Sequence, residues 1–198
     1  MKRAPWRPSR AELAAAEGKT VRDVIAHGLR VLFCGINPGL YSGAVGHHFA
    51  RPGNRFWKTL AASGLTERLV SPFEERTLLA AGLGITNLVE RATAAADDLS
   101  REELVHGAGR LTEKVRRYRP ALVAFLGLTT YRIAFARPGA EIGLQPERLG
   151  PARVWLLPNP SGLNAHYQLP DLAREFAGLG RAAGLKPSPG RATDRPSA

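Results

Sequence analysis

Two asparagines follow apolar segments directly, and their amides are the first candidates for chemistry. Asn37 lies in the run GINPG at 35–39 after the segment RVLFC, and Asn159 opens the run NPSGLN at 159–164 after RVWLL. A primary amide offers an acceptor and two donors, so it can orient water or read the edge of a planar ligand. GINPG lacks the GK[ST] of a P-loop and the GxGxxG of a dinucleotide fold. The pattern therefore predicts a polar pocket built from two amide-bearing loops, without a nucleotide cofactor.

The elements that must position these loops alternate between apolar strands and helices. Such strands, apolar on both faces, predict a parallel sheet covered by helices on each side. Ligands bind such sheets outside the carboxyl ends of the strands, which selects the loops 36–52 and 159–167. Strands are predicted over 30–34, 84–89, 121–126 and 153–157, and helices over 54–63, 72–81, 100–118, 127–135 and 171–180.

The charge of the chain favours an anionic partner. With 28 Lys and Arg against 17 Asp and Glu, the formal net charge is +11. An arginine excess is equally explained by genomic base composition, so charge alone does not identify nucleic acid. Residues 1–10 hold four basic residues and no acid, and residues 185–198 hold three basic residues and one acid. Because both ends are rich in Pro, Gly and Ser, we predict disordered basic arms at 1–10 and 185–198 around a folded domain at 11–184.

Cysteine content and hydropathy narrow the class further. The single cysteine, Cys34, excludes a disulfide framework, a cysteine-rich zinc site and an iron–sulfur cluster. No apolar run approaches the roughly 20 residues that span a bilayer, and the N-terminus lacks the apolar region of a secretory signal. We therefore expect a cytoplasmic protein, nucleoid-associated if bacterial, with no metal, no cofactor and no membrane contact.

Four segments together resemble a known family. GINPG at 35–39, GHHFARPGNRFW at 46–57, TNLVER at 86–91 and NPSGLN at 159–164 resemble, in order and spacing, the mismatch-specific uracil/thymine-DNA glycosylases of the uracil-DNA glycosylase superfamily. The resemblance covers most of residues 20–180. It implies a three-layer α/β/α sandwich with a central, mostly parallel sheet. It also implies a monomer that flips uracil out of double-stranded DNA with G·U or related mismatches and hydrolyses the N-glycosidic bond without a lyase step.

The resemblance also assigns roles to individual residues. Asn37 corresponds to the residue that positions the attacking water, Phe49 to the aromatic that stacks on the flipped base, and Asn159 to the amide that reads the pyrimidine edge. An amide cannot take a proton from water, so catalysis should be slower than in relatives with Asp at position 37. Leu163 resembles the wedge that fills the hole left by the flipped nucleotide. The other positions expected to border the base or the wedge are Ile36, Gly39, Asn87, Gly162 and Asn164.

Because Asn37 is a weak base, nearby carboxylates become candidates for activating water. Asp97 and Asp98 lie in the loop after TNLVER, which borders the pocket in the family, and Asp97 is preferred. The competing interpretation is structural, since acids ahead of a helix that begins near Ser100 stabilise the helix dipole.

Further residues bear on the substrate. His48 and Ser42 are possible members of the site, and the pair His47-His48 resembles the thymine-processing branch. NPSG and Leu163 resemble instead the bacterial uracil branch, so thymine is a possible, slower substrate. A non-catalytic, mismatch-sensing DNA-binding module is the alternative function. A small-molecule hydrolase is disfavoured because the chain contains no GxSxG.

Overall fold

A five-stranded sheet lies at the centre of the protein in a computed structural model, which describes residues 7–162 and 164–185. The strands run in the order β2-β1-β3-β5-β4, and all neighbours are parallel except β4, which pairs antiparallel with β5 at one edge. Strands β1, β2 and β3 are buried along their whole length, as parallel strands covered on both faces must be. The strands are β1 (Val31–Gly35), β2 (Leu83–Asn87), β3 (Leu122–Leu126), β4 (Gly143–Leu149) and β5 (Ala152–Leu157).

Helices connect the strands and cover both faces of the sheet. The longest, α4, begins at a capping box in which Ser100 and Glu103 exchange hydrogen bonds, and it ends at Arg119 in the left-handed conformation. Within the described residues, no helix is both long and apolar enough to cross a membrane. The α-helices are α1 (Arg10–Ala14), α2 (Leu40–Val45), α3 (Phe56–Ala62), α4 (Arg101–Tyr118), α5 (Leu128–Ala134) and α6 (Leu169–Ala182).

Two hydrophobic cores, one on each face of the sheet, make the fold a three-layer sandwich. On one face Phe33 of β1 packs between Phe56 of α3 and Phe176 of α6, with ring centroids 5.4 and 5.8 Å away. On the other face Phe125 of β3 packs against Tyr131 of α5, and α4 covers the remaining surface. The predicted α/β class with a central, mostly parallel sheet is confirmed.

Three elements differ from the sequence-based prediction. The segment Pro72–Ala81 is 3-10 helical rather than α-helical. Helix α2 lies within the expected loop 36–52, between Gly39 as its N-cap and Gly46 in the left-handed conformation at its C-cap. Strand β4 was not predicted because it is a half-exposed edge strand that contains Gly143 and a proline, both of which weaken a strand pattern.

The predicted arms lie mostly outside the described residues. Residues 1–6 and 186–198 are not described. At the end of the segment predicted as the first arm, Ser9 is the N-cap of α1 and Arg10 is its first residue. Ser9 and Glu12 form a capping box there.

The order of the strands fixes where a ligand can bind. Strand β1 lies between β2 and β3, so the connections leaving β1 and β2 run to opposite sides of the sheet. A crevice forms at such a switch point, outside the carboxyl ends of the strands. The loops that begin at Ile36, Leu88 and Pro158 therefore share one edge of the sheet.

Candidate active site

A cleft of about 410 Å³ opens at this edge. Three loops meet there: one follows β1, one follows β2 and one follows β5. Asp98 is not part of the lining, Gly162 lines a smaller neighbouring cavity, and Leu163 lies outside the described residues. The predicted site residues that line the cleft are Ile36, Asn37, Gly39, Ser42, His48, Phe49, Asn87, Asp97, Asn159 and Asn164.

The amide of Asn37 is held in one orientation. Its Nδ2 donates to the carbonyl oxygen of Arg91 at 3.1 Å and to Oγ1 of Thr93 at 2.7 Å. The Thr93 hydroxyl in turn donates to the carbonyl oxygen of Ala95 at 2.6 Å, so it can only accept from Asn37. Both amide hydrogens are therefore used internally, and among the described residues Oδ1 has no hydrogen-bond partner. Asn37 thus offers an acceptor to the cleft.

Phe49 lies between α2 and α3, farther along the connection that also carries Asn37, and its backbone has a conformation that few residues adopt. Its φ is 52°, in the left-handed region, where a bulky residue is strained. Its ring stacks on Phe56 with centroids 4.2 Å apart. Gly35 makes room for the ring, because a Cβ at this position would lie 3.1 Å from Phe49 and 2.6 Å from Oδ1 of Asn87. One ring face is therefore covered by Phe56, and Phe49 also lines the cleft.

Asn159 is fixed by an Asx turn. Its Oδ1 accepts from the backbone N–H of Ser161 at 3.0 Å, and its own carbonyl oxygen accepts from Nδ2 of Asn164, also at 3.0 Å. These bonds orient the side-chain amide so that Nδ2 remains a donor, while Oδ1 keeps a second lone pair. Asn159 can therefore contact both a carbonyl and a neighbouring N–H of a base.

His48 and Asn87 form a buried pair at the back of the cleft. His48 is 2% exposed, and its Nε2 donates to the carbonyl oxygen of Arg22 at 3.1 Å. Its Nδ1 is then an acceptor, which receives a hydrogen bond from Nδ2 of Asn87 at 3.3 Å. Burial lowers the pKa of His48 and keeps the ring neutral, although Glu75 opposes this shift. The tautomer of His48 therefore decides which end of the Asn87 amide faces the cleft.

The buried carboxylate of Glu75 anchors the loop that carries Phe49. This carboxylate is 6% exposed, accepts from the backbone N–H of His48 at 2.8 Å and pairs with Nδ1 of His47 at 2.9 Å. Nε1 of Trp57 donates to the carbonyl oxygen of His48 at 3.2 Å, and Oγ of Ser42 accepts from the N–H of Ala50 at 3.1 Å. Ser42 and the histidines thus hold the loop.

The two candidate carboxylates have different surroundings. Asp97 is exposed and lines the cleft. Asp98 accepts from the backbone N–H of Ala95 at 2.8 Å and so closes its own 3-10 turn. Of the two, only Asp97 stands where it could take a proton from water in the cleft.

Several residues of the site carry no strong signal in the sequence. Thr93, Arg91 and Glu75 act through hydrogen bonds to residues far along the chain. The loop after β2 also begins at the carboxyl end of a parallel strand, where ligands bind in such sheets. Including this loop among the candidates would have selected Thr93. Arg55, the residue directly before α3, donates to carbonyls of the Asn159 loop.

Other chemistries find little support in the described residues. No group of three or more His, Cys, Asp and Glu side chains in this part of the chain is arranged to hold a metal ion. Cys34 is fully buried in β1, and burial raises the pKa of its thiol, so it is not a nucleophile.

The fold and the cleft define an α/β protein with a central, mostly parallel sheet and a polar cleft at the carboxyl edge of that sheet, lined by an aromatic ring and asparagine amides. The family model of the uracil DNA glycosylase superfamily matches residues 23–177. The chain belongs to this superfamily. Its members are DNA glycosylases, which hydrolyse N-glycosyl bonds, and they act on DNA. The match supports the superfamily predicted from the four sequence segments.

Proposed function

We propose that the protein is a monofunctional, mismatch-directed DNA glycosylase that acts as a monomer on uracil opposite guanine. The observation that carries the proposal is the orientation of Asn37, whose Nδ2 is tied to Arg91 and Thr93 while Oδ1 remains for a ligand in the cleft. An acceptor fixed in this way can hold a water molecule in line with a reacting carbon. The amide is not needed for the fold of β1, because Asn37 follows the strand.

The reaction requires the base to leave the duplex and enter the cleft. Flipping costs a few kcal/mol of unstacking, which contacts in the pocket must offset. Stacking on Phe49 supplies one such contact, and Asn159 supplies two more by donating from Nδ2 to O4 of uracil and accepting at Oδ1 from N3–H. We further propose that Leu163 fills the space that the nucleotide leaves.

Hydrolysis then replaces the bond from C1′ to N1 of the base with a bond from C1′ to the water oxygen. The bonding electrons leave with the base, and the backbone N–H groups of Ile36, Asn37 and Gly39, which line the cleft, are the proposed donors that stabilise this charge. Asn37 orients the water but does not accept its proton. The carboxylate of Asp97 or bulk solvent takes that proton, and no covalent intermediate with the protein forms.

The test is strand cleavage at a single site. A labelled duplex with one G·U pair is incubated with the protein and treated with alkali, and cleavage at the uracil position is the expected result. Asn37→Ala should reduce turnover about 100-fold and keep duplex binding. Gln145→Ala is the matched control, because it removes a buried amide on β4, which donates to Glu141 and Gly143 and lies outside the cleft.

The specificity is tested by comparing rates on G·U, A·U, G·T and single-stranded uracil. The proposal predicts the highest rate on G·U and a lower rate on G·T. Equal rates on G·U and A·U would contradict mismatch direction. A duplex that is shifted in a gel but not cleaved would favour the non-catalytic, mismatch-sensing module.

A further inference from the structure

Arg55 directs its side chain inward to the loop that carries Asn159. Its Nε donates to the carbonyl oxygen of Pro160 at 3.4 Å, and one hydrogen on Nη1 goes to that of Tyr167 at 2.5 Å. Both hydrogens on Nη2 go to the carbonyl oxygens of Ser161 at 2.5 Å and Asn164 at 2.9 Å. Four of the five guanidinium hydrogens are thus committed to backbone carbonyls of one loop.

A second contact joins the same two loops. The backbone N–H of Arg55 donates to the carbonyl oxygen of Pro160 at 3.0 Å. At Gly162 the backbones approach so closely that an added Cβ would lie 2.8 Å from the carbonyl oxygen of Gly53. The loop that holds Phe49 and the loop that holds Asn159 therefore form one unit, with the Arg55 guanidinium at its centre.

We propose that Arg55 is a positioning residue that locks residues 159–162 and 164–167 onto the Phe49 loop, so that the aromatic ring and the Asn159 amide face the same base. The proposal rests on the proposed function for what the two loops bind. Arg55 contacts neither substrate nor reacting atoms in this role. Its planar fork fits four diverging carbonyls, whereas the single ammonium of a lysine cannot reach all of them.

The competing role is a phosphate contact, and its signature differs. A cation that neutralises a phosphate releases counterions. Removing that cation therefore makes the slope of the logarithm of the association constant against the logarithm of the salt concentration less negative by about 0.9. A guanidinium whose hydrogens bond to backbone carbonyls makes no such phosphate contact, so its replacement should leave this slope unchanged. Arg51 and Lys58 lie nearby, are exposed, and are the cations of this region that remain open to phosphate.

The experiment compares Arg55→Gln and Arg55→Lys with the unchanged protein and with Arg51→Gln, a neighbouring exposed cation. Three quantities are measured: the salt slope on a G·C duplex, the rate of uracil release from a G·U duplex at saturating enzyme, and amide hydrogen exchange over residues 159–167. For both Arg55 variants we expect an unchanged slope, a rate at least about tenfold lower, and faster exchange in that segment. Arg51→Gln should reduce the slope and leave the exchange unchanged.

Lysine separates the two roles because it keeps the charge and loses the fork. Rescue of the rate by Arg55→Lys, together with a slope reduced by about 0.9 in Arg55→Gln, would overturn the proposal in favour of a phosphate contact. Unchanged exchange over 159–167 in both variants would also overturn it. If the unchanged protein releases no uracil, the proposed function fails, while the exchange and the salt slope still test the lock.

Discussion

Replacing Thr93 by valine should slow uracil release about fivefold without changing the fold. Thr93 is 1% exposed, and its Oγ1 is the closer of the two acceptors that hold Nδ2 of Asn37, at 2.7 Å against 3.1 Å for the carbonyl oxygen of Arg91. Valine has the same shape but no acceptor. The carbonyl of Ala95 also loses its donor, but Ala95 is exposed and water can replace it.

The magnitude follows from the number of bonds that hold the amide. Each contributes about 1 kcal/mol, so valine halves the free energy that keeps Oδ1 of Asn37 in the cleft. If this loss of about 1 kcal/mol is expressed in the transition state, the rate decreases about fivefold. Asn37→Ala removes the acceptor itself and should cost about 100-fold.

The assay is a double-mutant cycle under single-turnover conditions, with enzyme in excess over a labelled G·U duplex. Because Thr93 acts through Asn37, Thr93→Val should have no further effect once Asn37 is alanine. Thr93→Ser keeps the hydroxyl and should retain the rate. A fivefold loss in both backgrounds would show that Thr93 acts by another route, and a serine variant as slow as valine would refute the hydrogen-bond argument.

Three further outcomes are expected. Phe49→Leu keeps an apolar side chain but loses the aromatic ring on which the base would stack. Because such stacking contributes about 1–3 kcal/mol per base, binding of a G·U duplex with a non-cleavable uracil nucleotide should be at least about fivefold weaker in a titration. Asp97→Asn should lower the rate of uracil release at least about tenfold. Asp98→Asn should leave that rate unchanged, because its amide oxygen can still accept from the N–H of Ala95. Equal rates for both variants would exclude Asp97 as the base. Since burial lowers the pKa of His48 below its ordinary value, the unfolded chain binds that proton first. The free energy of unfolding should therefore decrease as the pH falls below about 6.5, by at most about 1.4 kcal/mol per pH unit, and urea midpoints between pH 7.5 and 5 should depend less on pH in His48→Gln.

Strand ends are what the sequence predicts best in this fold. The segments before Ile36 and before Pro158 are short apolar runs, and a parallel sheet brings their carboxyl ends to one edge whatever the details of packing. That rule alone places Asn37 and Asn159 in the same cleft. Phe49 needed the family resemblance, because its place depends on a left-handed backbone and on the room that Gly35 leaves for its ring.

The second layer of the site depends on long-range contacts that no local pattern encodes. Thr93 bonds to a residue 56 positions away and Arg55 to carbonyls more than 100 positions away. Both residues have ordinary local interpretations, as a loop threonine and as a cation on a helix face. Their roles appear only once the loops after β1, β2 and β5 are placed side by side.

Three of the asparagines that line the cleft, Asn37, Asn87 and Asn159, have a feature in common that bears on how uracil would be distinguished from cytosine. Each has one end of its amide tied to the protein: Nδ2 of Asn37 to Thr93, Nδ2 of Asn87 to His48, and Oδ1 of Asn159 to Ser161. The untied end is therefore an acceptor at Asn37 and Asn87 and a donor at Asn159. A donor held toward position 4 of a pyrimidine bonds the O4 of uracil and opposes the amino group of cytosine. Because turning that amide would break the Asx turn, we propose that discrimination against cytosine rests on the hydrogen bond between Ser161 and Asn159, which prevents the side-chain amide from rotating freely.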